Sequence, residues 1–168
     1  VTYKPDESTG QADKVYVAYT FLTQVFEIEV DTDTGIIDVL NVYSALDLGK
    51  AINPKNVEGQ IEGGTAQGMG MAVMEEQVIK DGKTLNAGMT DYLVPTSADM
   101  PKFEHHLIED EDSEGPFGAK GVGEPTLIAA SPAIANAVYD AIGVRFYELP
   151  ITPSKIKKAL KEKNEKNN

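Results

Sequence analysis

A glycine-rich segment, with five glycines in the twelve residues 59–70, constrains this chain more than any other feature of its sequence. It follows Asn53-Pro54, a pair that favours a helix start, with the asparagine as cap and the proline at the first position. Each interior glycine costs a helix about 1 kcal/mol relative to alanine. The segment therefore predicts a helix that must be stabilised by contacts outside itself.

The spacing of these glycines predicts two bare faces on the helix, because residues four apart lie along one face. Gly59 and Gly63 form one pair, and Gly64 and Gly68 form the other. A bare face admits either a closely packed backbone or a ligand, and the sequence leaves both interpretations open. Amide side chains beside these faces can both donate and accept hydrogen bonds. They are those of Gln60 and Gln67.

The composition of the 168 residues is that of a globular protein, and we expect a single domain over residues 1–168. No apolar run is long enough to cross a bilayer, and the net charge of −12 argues against nucleic-acid binding. The absence of cysteine excludes disulfides and cysteine-ligated metal centres, and it is compatible with the cytoplasm. Since the chain opens on Val1 without a start signal, we expect a piece of something longer.

Hydrophobic periodicity predicts an α+β fold of two layers, in which a mixed β-sheet has helices packed on one side. The predicted strands, including two hairpins, are residues 15–22, 24–30, 36–44, 76–79, 84–86, 103–109 and 144–149. We expect the strand over 15–22 to be covered on both faces, because its apolar residues point both ways. Two further helices are expected to start at Ser131-Pro132 and Thr152-Pro153, with the last one fraying over 161–168.

A second glycine-rich stretch, residues 115–125, holds the candidate for chemistry. Four glycines there allow a backbone to approach a ligand closely, and Glu124 then precedes Pro125, a residue favoured at the first position of a helix. A carboxylate fixed between a loop and a helix suits a general base. The structural alternative is an acid placed near a helix N-terminus because of the helix dipole.

Other motifs that bind ligands or metals are missing or incomplete. The sequence has no phosphate-binding loop, no dinucleotide-binding fingerprint after a strand and no nucleophile elbow. The acidic turn at 31–35 lacks the spacing of a calcium loop. His105 and His106 are adjacent in a predicted strand and face opposite sides, so we interpret them as structural and predict no metal ligand. The acidic residues 109–114 are expected to be a solvated approach to the glycine loop.

Several motifs resemble the molybdenum-binding large subunit of the xanthine dehydrogenase and aldehyde oxidase family, and they occur in the family's order. The resemblance extends from about Thr2 to Leu160 and corresponds to the C-terminal part of that subunit. The matching runs are A-I-N-P from Ala51, V-E-G-Q-I-E-G-G from Val57, A-Q-G-M-G from Ala66, G-A-K-G-V-G-E-P from Gly118, S-P-A-I-A-N-A from Ser131 and L-P-I-T-P from Leu149.

This resemblance implies a molybdenum hydroxylase that oxidises a purine, another N-heterocycle or an aldehyde, with water as the oxygen source. Glu124, in V-G-E-P, would be the general base. Gln60 would hydrogen-bond the molybdopterin cofactor, and the backbone at Gly121 and Gly123 would lie near the metal. The pterin would be present as such or as its cytosine dinucleotide. Iron–sulfur clusters and FAD would reside on partner domains or subunits.

The family's substrate-orienting residues and its other cofactor loops lie upstream of everything in this sequence. The resemblance therefore implies that the chain works with the remainder of the molybdenum subunit and is inactive alone. A non-catalytic scaffold or assembly module is the alternative, although a scaffold has no need of the acid at Glu124.

Overall fold

The computed structural model describes residues 5–12, 16 and 18–167 of the chain. The strands are β1 (Leu22–Val30), β2 (Ile37–Asp47), β3 (Ile79–Lys80), β4 (Lys83–Thr84) and β5 (Lys102–Ile108). The helices are α1 (Pro54–Val73), α2 (Pro125–Ile128), α3 (Ala130–Ile142) and α4 (Pro153–Asn167). A short 3₁₀ turn covers Pro116–Gly118.

The main sheet has three strands in the order β1-β2-β5 and is mixed, as predicted. β1 and β2 are an antiparallel hairpin joined by the turn at 31–35, and a register shift interrupts their pairing between Glu27 and Ile28. β5 runs parallel to β2, with Phe103 opposite Val42. β3 and β4 form the small second hairpin, which is shorter than the sequence predicted.

One face of this sheet carries the core. Phe26 on β1 and Val42 on β2 are paired and buried there, beneath Ile134 and Val138 of α3 and Met69 of α1. On the opposite face Val25 and Tyr43 are exposed, so the alternation expected for a half-buried sheet is present. The predicted α+β fold, a mixed sheet with helices on one side, is confirmed.

Helix α1 begins as the sequence predicted. The Asn53 side chain accepts a hydrogen bond from the Asn56 backbone N–H at 3.2 Å, and Pro54 occupies the first turn. The helix contributes Ile61 and Met69 to the hydrophobic core, and both side chains are almost completely buried. Its length of 20 residues despite five glycines shows that packing compensates for poor intrinsic propensity.

The predicted strand over residues 15–22 is wrong for its described part. Strand β1 begins only at Leu22, and Tyr16, Tyr19 and Phe21 are 63–69% exposed, whereas we expected both faces to be covered. Val15 and Val17 lie outside the described residues. Pairing with β2 ends where the Asp47 N–H donates to the Phe21 carbonyl, and no strand of the described chain continues beside residues 18–20.

The predicted strand over 144–149 is also wrong, since none of these residues lies in a strand. Val144 and Phe146 still pack against the core, which explains the apolar alternation without a strand. The Arg145 side chain instead turns back to α3, where it donates to Asn136 Oδ1 and lies over the Tyr139 ring.

Two predictions about helix ends also need correction. Helix α3 starts at Ala130 rather than at a Ser131-Pro132 cap, because the Ser131 hydroxyl donates to the Gly68 carbonyl of α1. Helix α4 starts at Pro153 as predicted, but it stays helical to Asn167, so the described part of the tail expected to fray belongs to the helix. No helix in the described part of the chain is long and apolar enough to cross a membrane.

Candidate active site

The glycine loop is held against the end of β2 by backbone pairing. The Lys120 N–H donates to the Leu48 carbonyl and the Lys50 N–H donates to the Gly118 carbonyl, both at 2.9 Å. Gly49 has a φ of +69° and lies so close to the Gly118 carbonyl that a Cβ there would overlap it. A glycine is required at this crossing for both reasons.

A nearly buried ion pair anchors the same loop. Lys120 Nζ lies 2.7 Å from Asp47 Oδ2, and the two side chains are only 7% and 10% exposed. The hydrogen bond to Asp47 raises the pKa of Lys120 above its usual range. Because removing one partner of such a pair leaves an uncompensated charge, the pair fixes the start of the loop firmly.

The acidic stretch 109–114 does more than approach the loop as a solvated segment. Glu109 accepts hydrogen bonds from Lys50 Nζ at 2.8 Å and from the Ala51 N–H at 2.9 Å. The hydrogen bond from Lys50 lowers the pKa of Glu109. The Asp112 carboxylate accepts from two backbone N–H groups, those of Glu114 and Gly115, and so shapes the entry to the glycine loop.

Three of the four predicted site residues line one cleft of about 410 Å³ between α1 and the glycine loop. They are Gln60, Gly123 and Glu124. A Cβ on Gly123 would lie 3.7 Å from Gln60 Oε1, so the two are neighbours although 63 positions apart. The Gln60 amide and the Glu124 carboxylate have no hydrogen-bond or ion-pair partner in the part of the chain that the structure describes.

The fourth predicted residue, Gly121, lies on a different surface. It lines a groove of about 530 Å³ with Tyr16, Tyr19 and Thr20, and this groove shares Gly123 and Glu124 with the cleft. The Thr20 hydroxyl donates to the Gly121 carbonyl at 2.9 Å. Glu124 thus stands between two concave surfaces.

The two bare faces of α1 have different environments, because one is packed and the other is open among the described residues. A Cβ on Gly68 would lie 2.5 Å from Ala130 Cβ, and one on Gly64 would lie 2.8 Å from Thr126 Cβ, so this face packs against α2 and α3. A Cβ on Gly59 or Gly63 would meet no atom of the described residues within 4 Å outside its own helix. This second face forms the open wall of the cleft.

A third concavity, of about 890 Å³, adjoins the cleft and shares Gln67 and Leu127 with it. It contains a hydrogen bond from the Tyr92 hydroxyl to Glu75 Oε2 at 2.7 Å, which raises the pKa of Tyr92. We favour the smaller cleft as the site, because it combines the Glu124 carboxylate with the open backbone at Gly59 and Gly63, whereas no glycine is among the described residues that line the larger concavity. Sequence reasoning did not foresee this concavity, because it forms where α1 meets segments distant in the sequence, among them residues 92–95 and 149–150.

The histidines agree with their structural interpretation. His105 faces inward, stacks on Phe103 and lies 3.4 Å from Glu62, whereas His106 lies on the exposed face beside Glu104. In residues 5–12, 16 and 18–167, no group of three or more His, Cys, Asp or Glu side chains is arranged to hold a metal ion.

The cleft fits a pterin group in its chemistry. Side chains at Gly59 and Gly63 would fill space that is open, so a flat ligand can lie directly on the α1 backbone. The adjacent Gln60 amide offers both a donor and an acceptor, the pattern that a pterin's amide-like edges require. The carboxylate of Glu124, which has no side-chain partner among the described residues, lies at the rim of this cleft.

A sequence model of the molybdopterin cofactor-binding domain matches residues 1–101, more than half of the chain. The chain belongs to this family. It is 40% identical over 159 residues to the 6-hydroxypseudooxynicotine dehydrogenase complex subunit gamma of Paenarthrobacter nicotinovorans, across 90% of this chain and 20% of the relative. It is also 40% identical over 150 residues to the aldehyde oxidoreductase molybdenum-binding subunit PaoC of Escherichia coli, across 88% and 20%.

A solved structure in the same family has the same fold. The aldehyde oxidoreductase from Desulfovibrio gigas aligns with a TM-score of 0.83 and 36% identity, across 94% of this chain and 17% of that one. The chain spans about a fifth of the length of the curated relatives it matches. The resemblance to xanthine dehydrogenase and aldehyde oxidase subunits is thereby confirmed, and the homologues are molybdenum oxidoreductases.

Proposed function

We propose that this chain is the C-terminal cofactor-binding part of a molybdenum hydroxylase that oxidises a purine, another N-heterocycle or an aldehyde, with Glu124 as general base. The observation that carries the proposal is the cleft in which Glu124, Gln60 and the bare α1 face meet. Family membership supports the cofactor, and the geometry supports the role of each residue.

A molybdenum–pterin cofactor would supply the two-electron redox chemistry of this reaction, with water as the source of oxygen. The residues of this chain would bind and orient it. The α1 backbone at Gly59 and Gly63 would provide the contact surface, and the Gln60 amide would hydrogen-bond the pterin. Gly121 and Gly123 would keep side-chain volume away from the reacting centre.

The task of Glu124 would be to move one proton. An ionised carboxylate oxygen can accept the proton of the oxygen nucleophile as that oxygen attacks an electron-poor carbon of the substrate. Hydrogen bonds fix the backbone on both sides of Glu124, so the residue would stand beside the cleft before the substrate arrives. The Lys120–Asp47 pair stabilises the start of the same loop.

We further propose that the working protein includes the remainder of the molybdenum subunit and partners that carry iron–sulfur clusters and FAD, and that it is cytoplasmic. The short span of the chain relative to its relatives supports a need for more residues. The pterin would be bound as molybdopterin or in its cytosine dinucleotide form.

The test of this function is Glu124→Gln in the assembled enzyme. Loss of a positioned general base costs about 10²- to 10⁴-fold in kcat, so turnover per molybdenum should fall by that range while molybdenum content stays constant. Glu58→Gln is the matched control, because Glu58 is an exposed glutamate on α1 that does not line the cleft. Unchanged turnover in Glu124→Gln would contradict the assignment of the base.

A further inference from the structure

The hydroxyl group of Thr126 connects the two walls of the cleft. Its Oγ1 lies 2.7 Å from the Gly123 carbonyl oxygen and 3.1 Å from the Gln60 carbonyl oxygen. Carbonyl oxygens only accept, so the single hydroxyl hydrogen is shared between them. One wall is the glycine loop immediately before Glu124, and the other is the α1 turn that carries Gln60.

Thr126 is fully buried and closely packed. The residue is 0% exposed, and it packs against the bare position of Gly64, where a Cβ would overlap the threonine hydroxyl. The glycine at 64 is therefore what lets the hydroxyl reach the α1 backbone. A closely packed side chain with two hydrogen-bond partners transmits displacement of one wall to the other.

We propose that Thr126 is a positioning residue that fixes the separation of Gln60 and Glu124. It does not line the cleft, so it acts through the peptide groups beside these two residues. Without the hydroxyl, the loop and α1 lose their direct link next to the base. This inference rests on the proposed function, because it concerns the geometry of the same base and cofactor contact.

The chain provides a matched control in Ser131. Its hydroxyl donates to the Gly68 carbonyl at 2.8 Å, so it also joins α1 to the segment after the glycine loop through one side-chain hydroxyl. Gly68 is two helical turns beyond Gln60, away from Glu124. A purely structural role predicts equal consequences for the loss of either hydroxyl, whereas a positioning role predicts that only Thr126 affects the reaction.

The experiment compares Thr126→Val, Thr126→Ser and Ser131→Ala in the assembled enzyme, with kcat and KM expressed per molybdenum. Misplacement of a reacting group by about 1 Å costs about 10²-fold, so Thr126→Val should lower kcat by roughly 10- to 100-fold with KM within about twofold. Thr126→Ser keeps the hydroxyl and should restore kcat. Ser131→Ala should lower the melting temperature without lowering kcat.

Unchanged kcat in Thr126→Val, or an equal fall in Ser131→Ala, would overturn the positioning role. If the valine variant does not accumulate, Thr126→Ala removes the same hydroxyl and is judged by the same two criteria. Glu124→Gln measured in parallel separates the two proposals. If that variant is inactive and Thr126→Val is fully active, only the positioning role fails, and if Glu124→Gln is active, the proposed base itself is wrong.

Discussion

A leucine at Gly63 is the most informative perturbation of the bare face of α1. A Cβ at this position meets no described atom within 4 Å outside its own helix, so the first carbon of a leucine side chain has open space there. Leucine is nearly as good a helix former as alanine, and its gain over glycine is about 0.5–1 kcal/mol. In a protein of this size that gain raises the melting temperature by about 1–4 °C.

The adjacent position Gly64 gives the opposite expectation for stability. A Cβ there would lie 2.8 Å from Thr126 Cβ and 3.1 Å from the Leu127 nitrogen, both in a packed interface. Overpacking of this kind costs about 1–3 kcal/mol, which exceeds the gain in helix propensity of about 1 kcal/mol. Gly64→Ala should therefore destabilise the fold by up to about 2 kcal/mol, even though it adds only one methyl group.

The assay combines thermal unfolding with the molybdenum content of the assembled enzyme. Gly63→Leu should unfold at or above the wild-type temperature and yet contain a small fraction of the wild-type molybdenum, because the side chain occupies the surface proposed for the pterin. Glu58→Leu is the control for an exposed leucine on α1 outside the cleft, and it should load normally. Full loading of Gly63→Leu would refute the proposal that this face binds the cofactor, and a lowered melting temperature would refute the reasoning about open space.

Three further predictions concern stability. Lys120→Met should lower the melting temperature more than Lys50→Met does. Loss of the Lys120 charge leaves the nearly buried Asp47 carboxylate uncompensated, whereas the partner of Lys50 is exposed to water. Equal falls in melting temperature would contradict this prediction. The pKa of Lys120 is raised in the folded state, so the stability that this lysine contributes is complete below the unfolded lysine pKa of about 10.4 and is lost as the pH rises through the higher folded pKa. The difference in melting temperature between wild type and Lys120→Met should therefore shrink in that pH range. A difference that stays constant with pH would contradict this prediction. Asn53→Ala removes the α1 cap and should cost about 1 kcal/mol in denaturant unfolding, and no loss would show that the cap is not stabilising.

The sequence predicted correctly the elements that are specified by a few neighbouring residues. The Asn53-Pro54 start of α1 and the β1–β2 hairpin agree with the structure, because caps and alternation act over a few residues. The mixed sheet followed from the order of these elements. The strand predictions at 15–22 and 144–149 failed, because apolar alternation indicates burial and does not indicate whether a neighbouring strand is present.

The site was only partly predictable for a similar reason. Glu124 could be selected from its glycine loop, and its neighbourhood with Gln60 came from the family resemblance alone. Which of the two glycine faces is packed and which is open depends on where α2 and α3 lie, and the spacing of residues within α1 does not encode this. The Lys120–Asp47 pair joins residues 73 positions apart, and the hydroxyl of Thr126 has no motif that would mark it.

The measurement that tests the central claim most directly is the molybdenum content, by mass spectrometry, of the native complex captured through this chain. The proposed function predicts one molybdenum per chain, with partner polypeptides that carry iron–sulfur clusters and flavin retained. A folded chain captured without molybdenum would contradict a cofactor-binding role, and the carboxylate of Glu124 would then have no reaction to serve.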